Sequence, residues 1–291
     1  MKPRAWLRFL RGVGHREWIP AGVRYRVLYR LANPNLMPDQ PFEVDFHGFR
    51  YSGSLGTYLD WWVYFFGGYE QAQLRLLAEL AGDELPLFVD VGANVGHHSL
   101  YMARHSSLIH AFEPYAVVRT SLERKIRENR LENVVVHPVG LGEESAELPF
   151  FAPRYPNTGT GSFVVGHAAA NNVPSTTLRV VNGDEYFEAH GIRGVGLMKI
   201  DVEGFELHVL RGLSQTLERD RPTIVMELGG GAAAEELLAA MPHDYSVLRF
   251  HPEGTTRYSL APFRWGQSGE VVLLPGERAA RIRSANLAAA S

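Results

Sequence analysis

Short apolar runs and amphipathic stretches alternate along most of this chain. The runs 87–91, 107–112, 133–139, 196–201 and 222–228 carry the Val, Ile, Leu and Phe of buried strands. The segments 94–105, 115–129, 183–190 and 205–218 carry apolar positions at helical spacing. Strands and helices in alternation bury their apolar faces as a doubly wound parallel sheet, so the expected class is α/β. The pattern changes toward the end. Tyr245–Phe250 and Glu270–Leu274 are strand-like runs joined by a Gly/Pro loop with no helix between them. They predict a hairpin, with one antiparallel strand at the edge of the sheet. Residues 142–182, rich in Pro, Gly, Asn and Thr, interrupt the alternation with two short β-like runs, Glu147–Phe151 and Thr176–Val181.

Upstream, Phe46–Tyr51 can form a hairpin. Glu70–Leu80 places Leu74, Leu77 and Ala78 on one stripe of a lead-in helix that Gly82 closes. Residues 1–45 have a different character. Lys2, Arg4, Arg8, Arg11, Arg16, Arg24, Arg26 and Arg30 are opposed before Asp39 by Glu17 alone, with Trp6, Leu7, Phe9, Leu10 and Val13 interleaved at helical spacing. The plain expectation is an amphipathic helix packed on the main domain with its arginines in water; the sharper one is an arm that meets an anionic membrane surface or a partner. The chain thus divides into a basic arm and lead-in helix (1–82), a main domain (83–276) and a flexible tail (277–291).

A chain of 291 residues, 45% hydrophobic, suffices for one large core with an appendage. Its formal net charge of -3 gives no field that would attract nucleic acid, and the absence of cysteine excludes thiolate chemistry. Trp61–Phe66 is too short to span a bilayer, and Met1–His15 lacks the uninterrupted apolar stretch of a secretory signal. The expectation is a soluble, cytoplasmic protein whose basic arm can lie against the inner face of the membrane.

The densest chemical signal is Phe88-Val89-Asp90-Val91-Gly92-Ala93-Asn94-Val95-Gly96-His97. A strand feeding a glycine turn that opens a helix lets backbone approach a nucleotide-like ligand. The next strand ends in Glu113-Pro114, about 20 residues on, where an acid can take a ribose hydroxyl pair. A dehydrogenase competes for this reading. Its fingerprint needs a glycine where Asn94 stands, and Asp90 would repel a pyrophosphate. S-adenosylmethionine carries an ammonium and a sulfonium and no phosphate, so an acid at the turn favours it.

Asp90–Gly96, Phe112-Glu113-Pro114 and Leu197–Gly212, with its core Lys199-Ile200-Asp201-Val202-Glu203-Gly204, resemble the FkbM family of S-adenosylmethionine-dependent methyltransferases. Tyr64–Glu70, Asn129, Asn133 and Pro222–Glu227 resemble it too, so the likeness runs over roughly 43–230 in consistent order. The resemblance implies a class I methyltransferase, Rossmann-like fold: seven strands, the last reversed. It also implies O-methylation of a hydroxyl on a sugar, glycolipid, polysaccharide or macrolide-type product, with a small-molecule or carbohydrate acceptor as partner.

Candidate cofactor-binding residues are Glu70, Asp90, Gly92, Asn94, Gly96, Glu113, Gly140 and Asp201. Gly92 and Gly96 let the backbone pass the cofactor, or simply make a tight turn. Asp90 faces the methionyl end, or caps the following helix; Glu113 reaches the ribose, or caps the next helix. Gly140 follows the third strand, near the expected adenine. Asp201 and Glu203 are the catalytic candidates, because residues two apart in an extended strand share a face and paired carboxylates raise each other's proton affinity. Asp201 is the first candidate base, Glu203 orients the acceptor, and His251 is the reserve. Glu203 and Glu206 could instead serve the start of the next helix. No histidine pair has metal-ligand spacing, and most histidines are expected on the surface or in packing. Asp201, Glu203 and acceptor hydroxyls can hold a divalent ion, which the sequence does not require. Pro156–Phe163 can be a lid or a plain loop. The competing class is a non-catalytic nucleoside- or partner-binding protein of the same fold.

Overall fold

The computed structural model describes residues 5–37, 39–153, 161–164, 172–229, 232–264 and 266–279. Helices α1 (Ala5–Gly14) and α2 (Ala21–Leu31) precede a hairpin of β1 (Pro41–Phe46) and β2 (Phe49–Ser54), then α3 (Tyr58–Phe66) and α4 (Gln71–Ala81). The alternating region follows: β3 (Leu87–Val91), α5 (His97–Met102), β4 (Leu108–Phe112), α6 (Ala116–Asn129) and β5 (Val134–His137). Three strands interrupt it: β6 (Gly140–Gly142), β7 (Ala146–Pro153) and β8 (Asn172–Asn182). Alternation resumes with α7 (Gly183–Ala189), β9 (Val195–Ile200), α8 (Glu206–Gly212), α9 (Ser214–Asp220), β10 (Thr223–Leu228) and α10 (Ala232–Ala239), and closes on β11 (Ser246–Glu253), β12 (Arg257–Pro262) and β13 (Gly269–Leu274).

The main sheet runs β12-β11-β13-β10-β9-β3-β4-β5. From β3 the chain builds outward through β4 to β5, then returns to add β9 and β10 on the other side. The carboxyl ends of β3 and β9 are therefore the point where strand order reverses and a ligand crevice opens. Side-chain alternation serves two cores. Val89, Val91, Met198 and Ile200 enter one layer; Phe88, Leu197 and Val225 enter the other, beneath α4.

The seven expected strands are present and an eighth, β12, lies outside them within the segment read as a loop. The reversed strand is not at the edge. β13 pairs antiparallel with β10 on one side and β11 on the other. Val271, Val272, Leu273 and Leu274 are all buried, the continuous apolar run that an interior strand needs, whereas no residue of β12 is fully buried. The segment 205–218, read as one helix, is two. The break follows Gly212, whose added Cβ would stand 1.9 Å from the Gly142 carbonyl oxygen, so α8 ends hard against β6. The two β-like runs of the insertion are β7 and β8, paired antiparallel in a small second sheet with β6. Most of the tail lies outside the described residues.

The N-terminal elements have a core of their own: Leu7, Leu28, Phe42, Tyr51, Trp61 and Phe65 among others, joined to the main domain through Leu74 and Leu100. Trp61 is its centre. It is fully buried, its indole N–H donates to the Ala32 carbonyl at 2.6 Å, and its ring meets those of Tyr25, Tyr29 and Phe65. Lys125 of α6 pins this layer from below, donating to the Val95 carbonyl at 2.9 Å and lying 4.3 Å from the centre of the Tyr51 ring. Trp61→Ala leaves a cavity and an unpaired carbonyl, and should lower stability by about 3–5 kcal/mol, read as a shifted midpoint in denaturant unfolding.

Candidate active site

Three strand ends are tied together by backbone before any side chain is considered. The N–H groups of Gly92 and Ala93 both donate to the Phe112 carbonyl at 3.0 Å, and the N–H of Asp201 donates to the Val91 carbonyl at 3.0 Å. Gly92 has φ +82°, and an added Cβ would lie 2.0 Å from the Asp201 carbonyl oxygen, so only glycine fits where the turn after β3 crosses the end of β9. Gly96 also has positive φ, but the atom its Cβ would strike is Leu122 of α6, at 2.4 Å. It serves helix packing.

One lobe of the crevice is walled by Tyr115, Val118, Phe150 and Phe163, with Glu113 at its side. The Phe150 ring lies 5.0 Å from that of Tyr115 and 5.4 Å from that of Phe163. Glu113 is buried at the end of β4. Its Oε2 accepts from the Asn94 N–H at 2.9 Å and its Oε1 from the Tyr115 N–H at 2.8 Å, so it fixes the glycine turn and the approach to α6 at once. Burial outweighs these two bonds and pushes its carboxyl up to about 7.

The other lobe, about 230 Å³, is lined by Tyr58, Tyr69, Glu70, Gln73, His97, His98, Lys199, Glu227 and Glu270. Gly92, Asn94, Asp201 and Glu203 line both lobes. Lys199 is the buried cation at its floor. Its Nζ lies 2.8 Å from Asp201 Oδ2, and on β3 the neighbour in register is Asp90. Burial alone would push this ammonium down, but Asp201, Asp90 and Glu70 together hold it above its ordinary value. The carboxylates answer in kind. Burial and then Asp201 raise Glu70, and burial followed by repulsion from Asp201 pushes Glu203 up to about 7. Burial likewise pushes Glu270 up to about 7, while Gln73 Nε2 donates to its Oε1 at 2.7 Å.

The crevice thus gathers Glu70, Gly92, Asn94, Glu113, Asp201 and Glu203. Asp90 lies beneath it, fully buried, with Oδ2 accepting the Ser99 hydroxyl of α5 at 2.5 Å. Gly140 is buried in β6 against Val180 and Phe163, and lines neither lobe. His251 pairs with Ser259 in the outer β11–β12 hairpin, also away from the crevice. Asp201 and Glu203 do share the crevice, though not as alternate residues of a strand. β9 ends at Ile200, and Glu203 takes the left-handed conformation, φ +51°, with its carbonyl accepting the Ser162 hydroxyl at 2.7 Å. Glu206 Oε1 accepts from the Val202 and Gly204 N–H groups, which gives that acid to the turn.

Sequence reading missed Lys199, the paired His97 and His98, and the aromatic wall. Both histidines are buried and face the crevice; burial holds them well below their ordinary value, and His97 Nε2 accepts from the Tyr69 N–H at 3.2 Å. A lysine inside an apolar strand was the signal available for Lys199. Of the segment read as a lid, Gly161 and Phe163 line the first lobe; 154–160 lie outside the described residues. Among the described residues no three His, Asp or Glu side chains are grouped to hold a metal ion.

A doubly wound sheet with its reversed strand inserted between parallel neighbours, and a glycine turn at its switch point, defines a class I methyltransferase fold. The chain belongs to the FkbM methyltransferase family: the Methyltransferase FkbM domain matches residues 90–248. "Methyltransferase 1" of Beauveria bassiana is 33% identical over 182 residues, which is 55% of this chain and 73% of that protein. Hexuronic acid methyltransferase AglP of Haloferax volcanii is 28% identical over 170 residues, 58% of this chain and 66% of that protein. A crystal structure of methyltransferase FkbM from Methylobacillus flagellatus is 18% identical with a TM-score of 0.43, covering 65% of this chain and 43% of that one.

The raised carboxyls make stability depend on pH. Glu113, Glu203 and Glu270 keep protons in the folded chain up to about 7, whereas the unfolded chain loses them near the ordinary 4.5. The stability this contributes is complete below 4.5 and lost as pH rises through 7. Buried His97 and His98 act oppositely, but only below their ordinary 6.5. Between about pH 6.5 and 7.5 the carboxyls dominate, so unfolding midpoints of the unliganded protein should fall with rising pH, and Glu113→Gln should flatten that slope.

Proposed function

We propose that this protein is an S-adenosylmethionine-dependent O-methyltransferase acting on a hydroxyl of a sugar, glycolipid, polysaccharide or macrolide-type product. The observation that carries the reading is the two-lobed crevice joined at Gly92, Asn94, Asp201 and Glu203. The first lobe offers flat apolar walls for an adenine, with Glu113 beside them for ribose hydroxyls. The second offers carboxylates in excess of its one lysine, which suits an ammonium and a sulfonium and opposes a pyrophosphate. S-adenosylmethionine would supply an electrophilic methyl group there. The protein's own task is to orient the acceptor hydroxyl and remove its proton.

Glu203 is the better base. Its carboxyl titrates near neutrality, where general-base catalysis is most effective, while Asp201 is engaged by Lys199. This reverses the order expected from sequence and leaves Asp201 to orient. Glu70, Glu203, Glu227 and Glu270 also line this lobe, where their oxygens can accept hydrogen bonds from the hydroxyls of an acceptor. The name of the Haloferax relative supports a sugar-like acceptor.

Calorimetric titration should show saturable binding of S-adenosylmethionine and S-adenosylhomocysteine and none of NAD. Glu113→Ala should weaken binding by about 1.5–3 kcal/mol. NAD binding without response to the methyl donor would overturn the cofactor assignment. Glu203→Gln should lower turnover, measured as S-adenosylhomocysteine formed, by about 10²–10⁴-fold while leaving cofactor affinity nearly intact. Asp201→Asn strips the ammonium of its partner and should weaken cofactor binding as well. Near-normal turnover in Glu203→Gln would return the base to Asp201.

A further inference from the structure

The N-terminal arm packs as expected, yet leaves an apolar surface uncovered. On α1, Leu7 and Leu10 are buried while Trp6 and Phe9, one helical step away, are exposed. On α2, Leu28 is buried, while Val23, Val27 and Leu31 form an exposed stripe at spacings of four. Trp18, in the turn between the helices, is 76% exposed and Phe9 74%. Of ten large apolar side chains exposed among the described residues, seven lie between Trp6 and Leu36. Scattered exposure is ordinary; this concentration is not.

The charges sort in the same way. Arg24 is buried, donating to the Gly14 carbonyl at 2.5 Å, and Arg11 donates to the Tyr64 carbonyl at 3.0 Å; both fasten the arm to the body. Arg8, Arg16, Arg26 and Arg30 point to solvent beside the apolar stripes, with Glu17 the one acid among them. This basic face belongs to a chain whose formal net charge is -3. Exposed tryptophan, phenylalanine and aliphatic stripes flanked by arginine are the chemistry of a bilayer interface: rings enter the headgroup layer and guanidinium groups meet lipid phosphate.

We propose that α1, the turn through Trp18 and α2 form a docking surface for an anionic lipid bilayer, on which the protein lies without crossing it. Among the described residues no helix is long and apolar enough to span a membrane. The proposal does not depend on the cofactor or the acceptor.

The test is co-sedimentation of the full chain with phosphatidylcholine vesicles, with and without phosphatidylglycerol, at low and high salt. The expected result is pelleting that requires phosphatidylglycerol and falls with salt. Phe9→Ser/Trp18→Ser should lower the partition by about tenfold or more with an unchanged melting temperature, since these side chains are 74% and 76% exposed. Arg26→Gln/Arg30→Gln should weaken it on the anionic vesicles. Absence of pelleting with either vesicle would overturn the proposal. So would pelleting that neither variant changes, or a dimer by light scattering that Phe9→Ser/Trp18→Ser abolishes, which would assign the surface to a second copy of the chain.

Discussion

The carboxyl edge of this sheet is organised around one buried ammonium. Lys199 occupies a strand whose residues are all buried, a place where an unpaired cation would be prohibitive. It is tolerated because Asp90 on the neighbouring strand and Asp201 at its own strand's end converge on it. Fully buried Asp90 is in turn tolerated because of the lysine. Asp90 also binds Ser99, so the same charge network positions α5 and the two histidines at its start. Removing Lys199 leaves Asp90 without its cation in a fully buried place, and removing either acid weakens the hold on the buried ammonium, which couples the stability of the sheet to the geometry of the crevice.

The second constraint is steric. Gly92 and Gly212 each admit a backbone carbonyl where a Cβ would collide, the first joining β3 to β9 and the second α8 to β6. The small sheet is thereby seated against the main one, and β7 can carry Phe150 to the crevice. The apolar lobe is thus built from residues distant in sequence, brought together by these close backbone approaches and completed by the packing of the Phe150 ring on Tyr115 and Phe163.

That division explains what could be read from the chain. The glycine turn, the acid ending β4 and the Lys199–Glu206 segment are local patterns, and they located the edge of the sheet where the crevice lies. The alternation of elements was legible because each run must bury an apolar face. The interior position of β13 depends on which neighbours it finds, although its four consecutive buried apolar residues hinted at it. The break after Gly212, the left-handed Glu203 and the burial of His97 and His98 are set by tertiary approach, so no local pattern announces them. Gly96 shows the converse: a motif glycine whose demand comes from Leu122.

The paired rings along the N-terminal layer have a reach beyond stability. Tyr25 of α2 stacks on Trp62 at 5.5 Å, and Trp62 meets Tyr69 at 6.3 Å, the residue that walls the acidic lobe and donates its N–H to His97. α2 and the acidic lobe are therefore joined by consecutive ring contacts rather than by a stretch of bare backbone. The outermost helix thus stands only two ring contacts from the wall of the crevice.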